Sequence, residues 1–174
     1  FGLGVVSVFV SLLISGPFGA LGLYSAEQET IWDAIAVSFF GAAIPEEIAK
    51  FLMFWILVRR NKFFDEHMDG IVYAAAVSLG FAAYENVMYL FSSEDWITTG
   101  VMRALFAVPG HFFDGILMGY YYSLVRFDPL TPKINWFWVL GAPILAHGIY
   151  DSILFTIEVC PGIIALVLSI VFIV

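Results

Sequence analysis

Residues 31–58 read IWDAIAVSFFGAAIPEEIAKFLMFWILV, an apolar run of membrane-crossing length with two adjacent glutamates and a lysine in its interior. Crossing a hydrocarbon core of about 30 Å takes about 20 apolar residues in a helix, and helical hydrogen bonding satisfies the backbone inside lipid. Glu46 falls about 15 residues into the run, or about 22 Å along the axis, so the acids and Lys50 stand deep in the span. An ionised group at that depth costs about 2.5–3.5 kcal/mol on insertion scales and therefore faces the bundle interior or a hydrated cavity. Lys50 follows Glu46 by four residues and Glu47 by three, close enough to neutralise one carboxylate across a helical turn. The two acids point about 100° apart, so one can anchor while the other meets solvent or substrate. Taken alone, the segment reads equally well as a buried Glu–Lys pair that fixes helix packing.

The rest of the chain is built the same way. Its 174 residues are 61% hydrophobic and 13% charged, far from the roughly 45–50% and 25% of soluble domains. Apolar runs and charged breaks place spans near Gly4–Tyr24, Ile31–Val58, Gly70–Phe91, Ile97–Val125, Trp136–Thr156 and Gly162–Val174. The expectation is an all-α polytopic transmembrane bundle of about six spans, forming a single integral membrane domain over residues 1–174 without a nucleic-acid-binding module. Arg59, Arg60 and Lys62 follow the second span and Arg126 and Lys133 the fourth, while Glu27, Glu29, Glu94, Asp95 and Glu158 fill the alternate loops. That bias puts the basic loops and the chain start on the cytoplasmic side. The stretch 1–23 lacks a basic n-region and contains Gly-Pro-Phe-Gly, so it reads as a span and not a cleaved signal peptide; both chain ends read as truncated. The acids behind the net charge of −8 divide between loops and spans, so the charge names no partner. The one cysteine, Cys160, has no metal-binding spacing.

Further polar residues recur inside the spans. Span three carries Glu85-Asn86 behind the small residues Gly80, Ala82 and Ala83; span four carries His111 and Asp114, then Gly115 and Gly119; span five carries His147 and Asp151. The Gly115/Gly119 spacing is a weak helix-packing signal. His147 and Asp151, four apart, share a helix face, where the carboxylate can orient the imidazole. Pro45 and Pro109 sit mid-span just ahead of polar residues, positioned to kink their helices and free backbone carbonyls. Pro129 and Pro132 read as loop residues, no internal repeat stands out, and Arg103 reads as a partner for Glu94 or Asp95 in a loop salt bridge. Each pair alone is compatible with packing. Together, Glu46, Glu47, Glu85, His111 and His147 fall in the middle or outer half of four successive spans, where one shared cavity solves every desolvation problem at once.

On these residues the sequence resembles the PrsW family of intramembrane proteases, related to the CAAX prenyl endopeptidase and CPBP/Abi superfamily. The matching motifs, in order, are EExxK at Glu46–Lys50, FxxxEN at Phe81–Asn86, a histidine at His111, and HxxxD at His147–Asp151. The CAAX-processing relatives have histidine where Glu85 stands and often asparagine where Asp151 stands, which favours PrsW. The resemblance implies an endopeptidase acting on a membrane-anchored protein, in the manner of site-1 cleavage of anti-sigma factors, in a bacterial cytoplasmic membrane. Peptide hydrolysis needs a base for water, charge stabilisation for the oxyanion and an acid for the leaving amine. Glu47, with Glu46 its near-equivalent rival, is assigned as base. His147, held by Asp151, serves the oxyanion or a metal, His111 and Glu85 complete the catalytic set, and Asn86 contacts substrate. If zinc is present, Glu85, His111 and His147 are its expected ligands, since two histidines and a glutamate match a catalytic zinc set; the same residues also suit metal-free hydrolysis. A proton-coupled transporter or ion channel, or a noncatalytic scaffold, are the rival readings.

Overall fold

The computed structural model describes residues 1–128 and 132–162. Among them every element is helical: α1 (Gly2–Ala20), α2 (Ile31–Ala36), α3 (Ile44–Val58), α4 (His67–Ser92), α5 (Trp96–Met102), α6 (Val108–Phe127) and α7 (Pro132–Val159). A π-helical segment, Val37–Ala43, joins α2 to α3, and another, Arg103–Ala107, joins α5 to α6. Four helical runs are long and apolar enough to cross a membrane: Gly2–Ala20, His67–Ser92, Trp96–Phe127 and Asn135–Val159. The run Ile31–Val58 is continuous and of similar length, but its middle carries Glu46, Glu47 and Lys50. The protein is a multi-pass, all-helical membrane protein. Five expected spans correspond to these five runs; the expected sixth, beyond Gly162, lies outside the described residues.

The two π segments explain what the mid-span prolines do. Ile44 N–H bonds to Phe39 O and Val108 N–H to Arg103 O, each five residues back, and each is followed at once by proline. A proline ring lacks the N–H donor and clashes with the carbonyl four residues earlier. The wider π turn absorbs that conflict, so each span keeps running through its proline with its register shifted. Trp32 and Trp96 stand in the first turn of their runs, each thirteen positions before the proline. Thr30 and Asp95 cap those runs through Asp33 N and Thr98 N. The Thr98 hydroxyl and backbone N–H also hold the exposed Asp95 carboxyl below its ordinary range. Pro132, expected in a loop, is instead the first residue of α7, a position whose N–H has no helical acceptor to lose.

α6 packs between α4 and α7, α1 lies on α3 and α4, and α7 returns across α2 and the first π segment. Around Phe54, Val58, Phe64, Ala74, Val77, Met118, Tyr122 and Val139 the helices pack into an apolar core. That core occupies the half of the bundle where α3 and α6 end; the intramembrane acids and histidines lie above it. Between helices in lipid, close backbone approach supplies much of the attraction, and α4 against α6 shows it. A Cβ on Gly119 would strike the Gly70 carbonyl, and one on Gly115 would come 2.8 Å from Ala75 Cα. The expected packing role of Gly115 and Gly119 is therefore met by backbone contact. Gly119→Leu is expected to cost about 1–3 kcal/mol or more from overpacking, read as a lower unfolding midpoint in detergent; an unchanged midpoint would show that α4 and α6 separate freely.

Candidate functional site

The register set by the two π segments delivers equivalent positions to one place. Ala43-Ile44-Pro45-Glu46-Glu47-Ile48-Ala49-Lys50 and Ala107-Val108-Pro109-Gly110-His111-Phe112-Phe113-Asp114 align without a gap. Glu47 and His111 each stand two residues after the proline, Lys50 and Asp114 five after it. The repeat that the sequence did not announce is thus a repeated device of π turn, proline and two polar side chains. In α7, Pro143 is fully buried one helical turn before His147.

Glu47 is fully buried, and its Oε1 accepts from Lys50 Nζ at 2.7 Å and lies 2.8 Å from His147 Nδ1. Lys50, equally buried, also donates to His111 Nδ1 at 2.9 Å. An ammonium has only donors, so His111 Nδ1 is the acceptor and Nε2 carries the proton shared with Glu85 Oε2 at 2.8 Å. His147 faces Glu47 through Nδ1 and Asp151 through Nε2, the latter at 3.2 Å. The expected His147–Asp151 contact is present, and the two imidazoles meet edge to face with centroids 5.3 Å apart. Glu46 differs from its neighbour. Its Oε2 has no hydrogen-bond partner and stands 3.7 Å from Lys50 Nζ and 3.9 Å from His147 Nε2. Its side chain lines a cavity of about 740 Å³ together with Glu85, Arg103, His111, His147 and Asp151. The cavity extends away from the apolar core between α5, α6 and the second half of α7.

Two residues have roles that the sequence reading did not give them. Arg103 does not reach the loop acids Glu94 or Asp95. Its Nη2 donates to Glu85 Oε2 at 2.7 Å, its Nε to Asn86 Oδ1 at 2.6 Å, and its guanidinium lies 3.9 Å over the Tyr89 ring. Arg103 opens the second π segment, and its side chain lies against α4. Asn86 is thereby held by Arg103. Asp114, noted in the sequence without a role, is buried with Oδ2 3.9 Å from His147 Nδ1. Comparing the two proline-led octapeptides would have found it, because Asp114 occupies the position of Lys50.

The family model described as PrsW family intramembrane metalloprotease matches residues 1–174. The chain belongs to this family. It is 39% identical over 132 residues to Protease PrsW of Oceanobacillus iheyensis, covering 75% of this chain and 60% of that protein. To Protease PrsW of Bacillus subtilis it is 38% identical over 156 residues, covering 88% of this chain and 67% of the relative, and to that of Clostridioides difficile 36%, covering 70% and 53%. The chain thus spans only about three-fifths of the first relative's length. No solved structure gives a significant match.

A metalloprotease family calls for a donor set, and the residues present fit one. Glu47, His111, Asp114 and His147 place ligand atoms within 4.8 Å of one another, all buried, and Glu46, Glu85 and His111 form a second such group. The expected trio of Glu85, His111 and His147 is divided between these groups, with His111 in both. Carboxylate oxygens without partners, Glu47 Oε2 and Glu46 Oε2, belong one to each group. Two imidazoles with carboxylates are the donor chemistry of catalytic zinc sites.

Proposed function

We propose that the chain is an intramembrane endopeptidase that hydrolyses a peptide bond of a membrane-anchored protein, an anti-sigma-factor-like substrate in the bacterial cytoplasmic membrane. The observation that carries this reading is Glu46: a carboxylate that lines the cavity and is 14% exposed there, where Glu47 is fully buried, beside an imidazole held by acids at both nitrogens. A carboxylate bordering a cavity can accept from water there. In the reaction, Glu46 takes a proton from water as the water oxygen bonds to the scissile carbonyl carbon. The tetrahedral oxyanion is stabilised by His147, whose ring is held at the cavity by Glu47 and Asp151. When the C–N bond breaks, Glu46 returns the proton to the leaving amine. Glu46 is preferred over Glu47, the first choice from sequence, because Glu47 Oε1 is already engaged by Lys50 and His147. When bound, a zinc ion held by Glu47, His111, Asp114 and His147 would polarise the carbonyl and acidify water. One domain of helices with its chain start on the cytoplasmic side orients the cavity toward the outer half of the membrane.

The chain reconstituted in vesicles with a single-span test protein is expected to yield two fragments whose new ends map to the outer half of the span. Ion flux without fragments would replace this reading with transport. Arg103 acts through Glu85, so it is assigned as a positioning residue. Arg103→Gln is expected to lower kcat about 10–100-fold, the usual effect of removing an outer-shell partner, with KM little changed. Arg103→Lys should recover only part, since an ammonium cannot bridge Glu85 and Asn86 as a planar fork. A rise in KM at unchanged kcat would make Arg103 a substrate contact instead.

A further inference from the structure

Lys50 already supplies a positive charge to the donor set described above. Its Nζ lies 2.7 Å from Glu47 Oε1 and 2.9 Å from His111 Nδ1, and it covers the Phe81 ring at 4.3 Å. The side chain is fully buried, and Glu46 Oε2 is 3.7 Å away. Glu47 and His111 are two of the four donors whose ligand atoms lie within 4.8 Å of one another.

The conflict between the two cations is one of lone pairs as well as charge. An unprotonated ring nitrogen has a single lone pair. His111 Nδ1 gives it to Lys50, while Nε2 is committed to Glu85. A metal ion bound through Nδ1 takes the electron pair that Lys50 now holds. It would also bring a double positive charge to within a few ångströms of an ammonium among buried side chains, where screening is weak. The donor set can hold the ammonium or the metal in this place, and not both.

We propose that Lys50 is an internal cation that competes with a divalent metal for the Glu47–His111–Asp114–His147 donor set, so that metal binds by displacing the Lys50 ammonium from His111. Lys50 then has two consequences. It balances the buried acids of the metal-free protein, and it sets a threshold of metal concentration below which the donor set stays filled by its own side chain. The proposal rests on reading these four side chains as metal donors and is independent of which bond the protein cleaves.

The test is zinc affinity. With full-length chain in detergent, calorimetric titration of Lys50→Met is expected to give zinc binding at least 10-fold tighter than wild type, at one ion per chain. Equal or weaker binding by the variant overturns the proposal. Because Lys50→Met removes a buried charge and can disturb folding, a second measurement uses the wild-type protein. The chain has three lysines, Lys50, Lys62 and Lys133, so ¹⁵N-lysine labelling gives three side-chain signals, with Lys62→Arg and Lys133→Arg assigning two of them. Saturating zinc is expected to shift the Lys50 signal alone. Zinc bound with that signal unmoved overturns the proposal, as does the absence of zinc binding by both proteins, even where cleavage is observed. Displacement in a protein that cleaves nothing upholds the proposal and removes the protease reading instead.

Discussion

Glu46→Gln is expected to lower kcat by about 10²–10⁴-fold, the range contributed by a positioned general base, while leaving the fold intact. Glutamine keeps the shape of the side chain and removes only its capacity to take a proton. Little else should change, because Glu46 Oε2 makes no hydrogen bond and the side chain borders the cavity. No ion pair closer than the 3.7 Å contact with Lys50 Nζ is lost. The measurement is cleavage of a reconstituted single-span substrate, with thermal unfolding of the same preparation recorded beside it. Cleavage within a few-fold of wild type would sink the assignment and return the base to Glu47. Loss of activity accompanied by unfolding would show that Glu46 supports the structure.

Much of this was legible in the sequence, for identifiable reasons. Span ends are set by hydropathy and charge, which act locally, so Ile31–Val58 emerges with the bounds that composition predicts. The convergence of Glu46, Glu47, Glu85, His111 and His147 followed from depth, since buried charge in lipid must be shared or neutralised. The choice of partner was not legible. Lys50 has both Glu46 and Glu47 within one helical turn, and only its packing beneath Phe81 and against His111 selects Glu47. Arg103 was misplaced because it was read from its nearness to the span end and the loop acids there, while its contacts with Glu85, Asn86 and Tyr89 come from the packing of a different helix. The correspondence of Lys50 with Asp114 lies in the sequence without a gap, but within a short match. Proline-led repeats only eight residues long fall below what pattern alone makes visible.

Glu47→Gln is expected to fail in the opposite way from its neighbour, by destabilising the protein about 3–5 kcal/mol, the cost of stranding one member of a buried ion pair. Glu47 Oε1 is the closest carboxylate oxygen to both Lys50 Nζ and His147 Nδ1, and all three side chains are buried. Neutralising it leaves the Lys50 ammonium without its 2.7 Å partner at a depth where water does not reach. The unfolding midpoint in detergent should fall by roughly 10 °C on the usual scaling for a chain of this size. Removing both charges tests the cause. In Glu47→Gln/Lys50→Met the stranded ammonium is gone, so most of the lost stability should return, giving a coupling energy of the sign expected for contacting groups. A double variant as unstable as the sum of the single ones would mean that the pair does not act as a unit, and that Glu47 supports the fold through His147 alone. Recovery of stability without recovery of cleavage would show that Glu47 serves the reaction as well as the fold, as a donor to the metal or as the base itself.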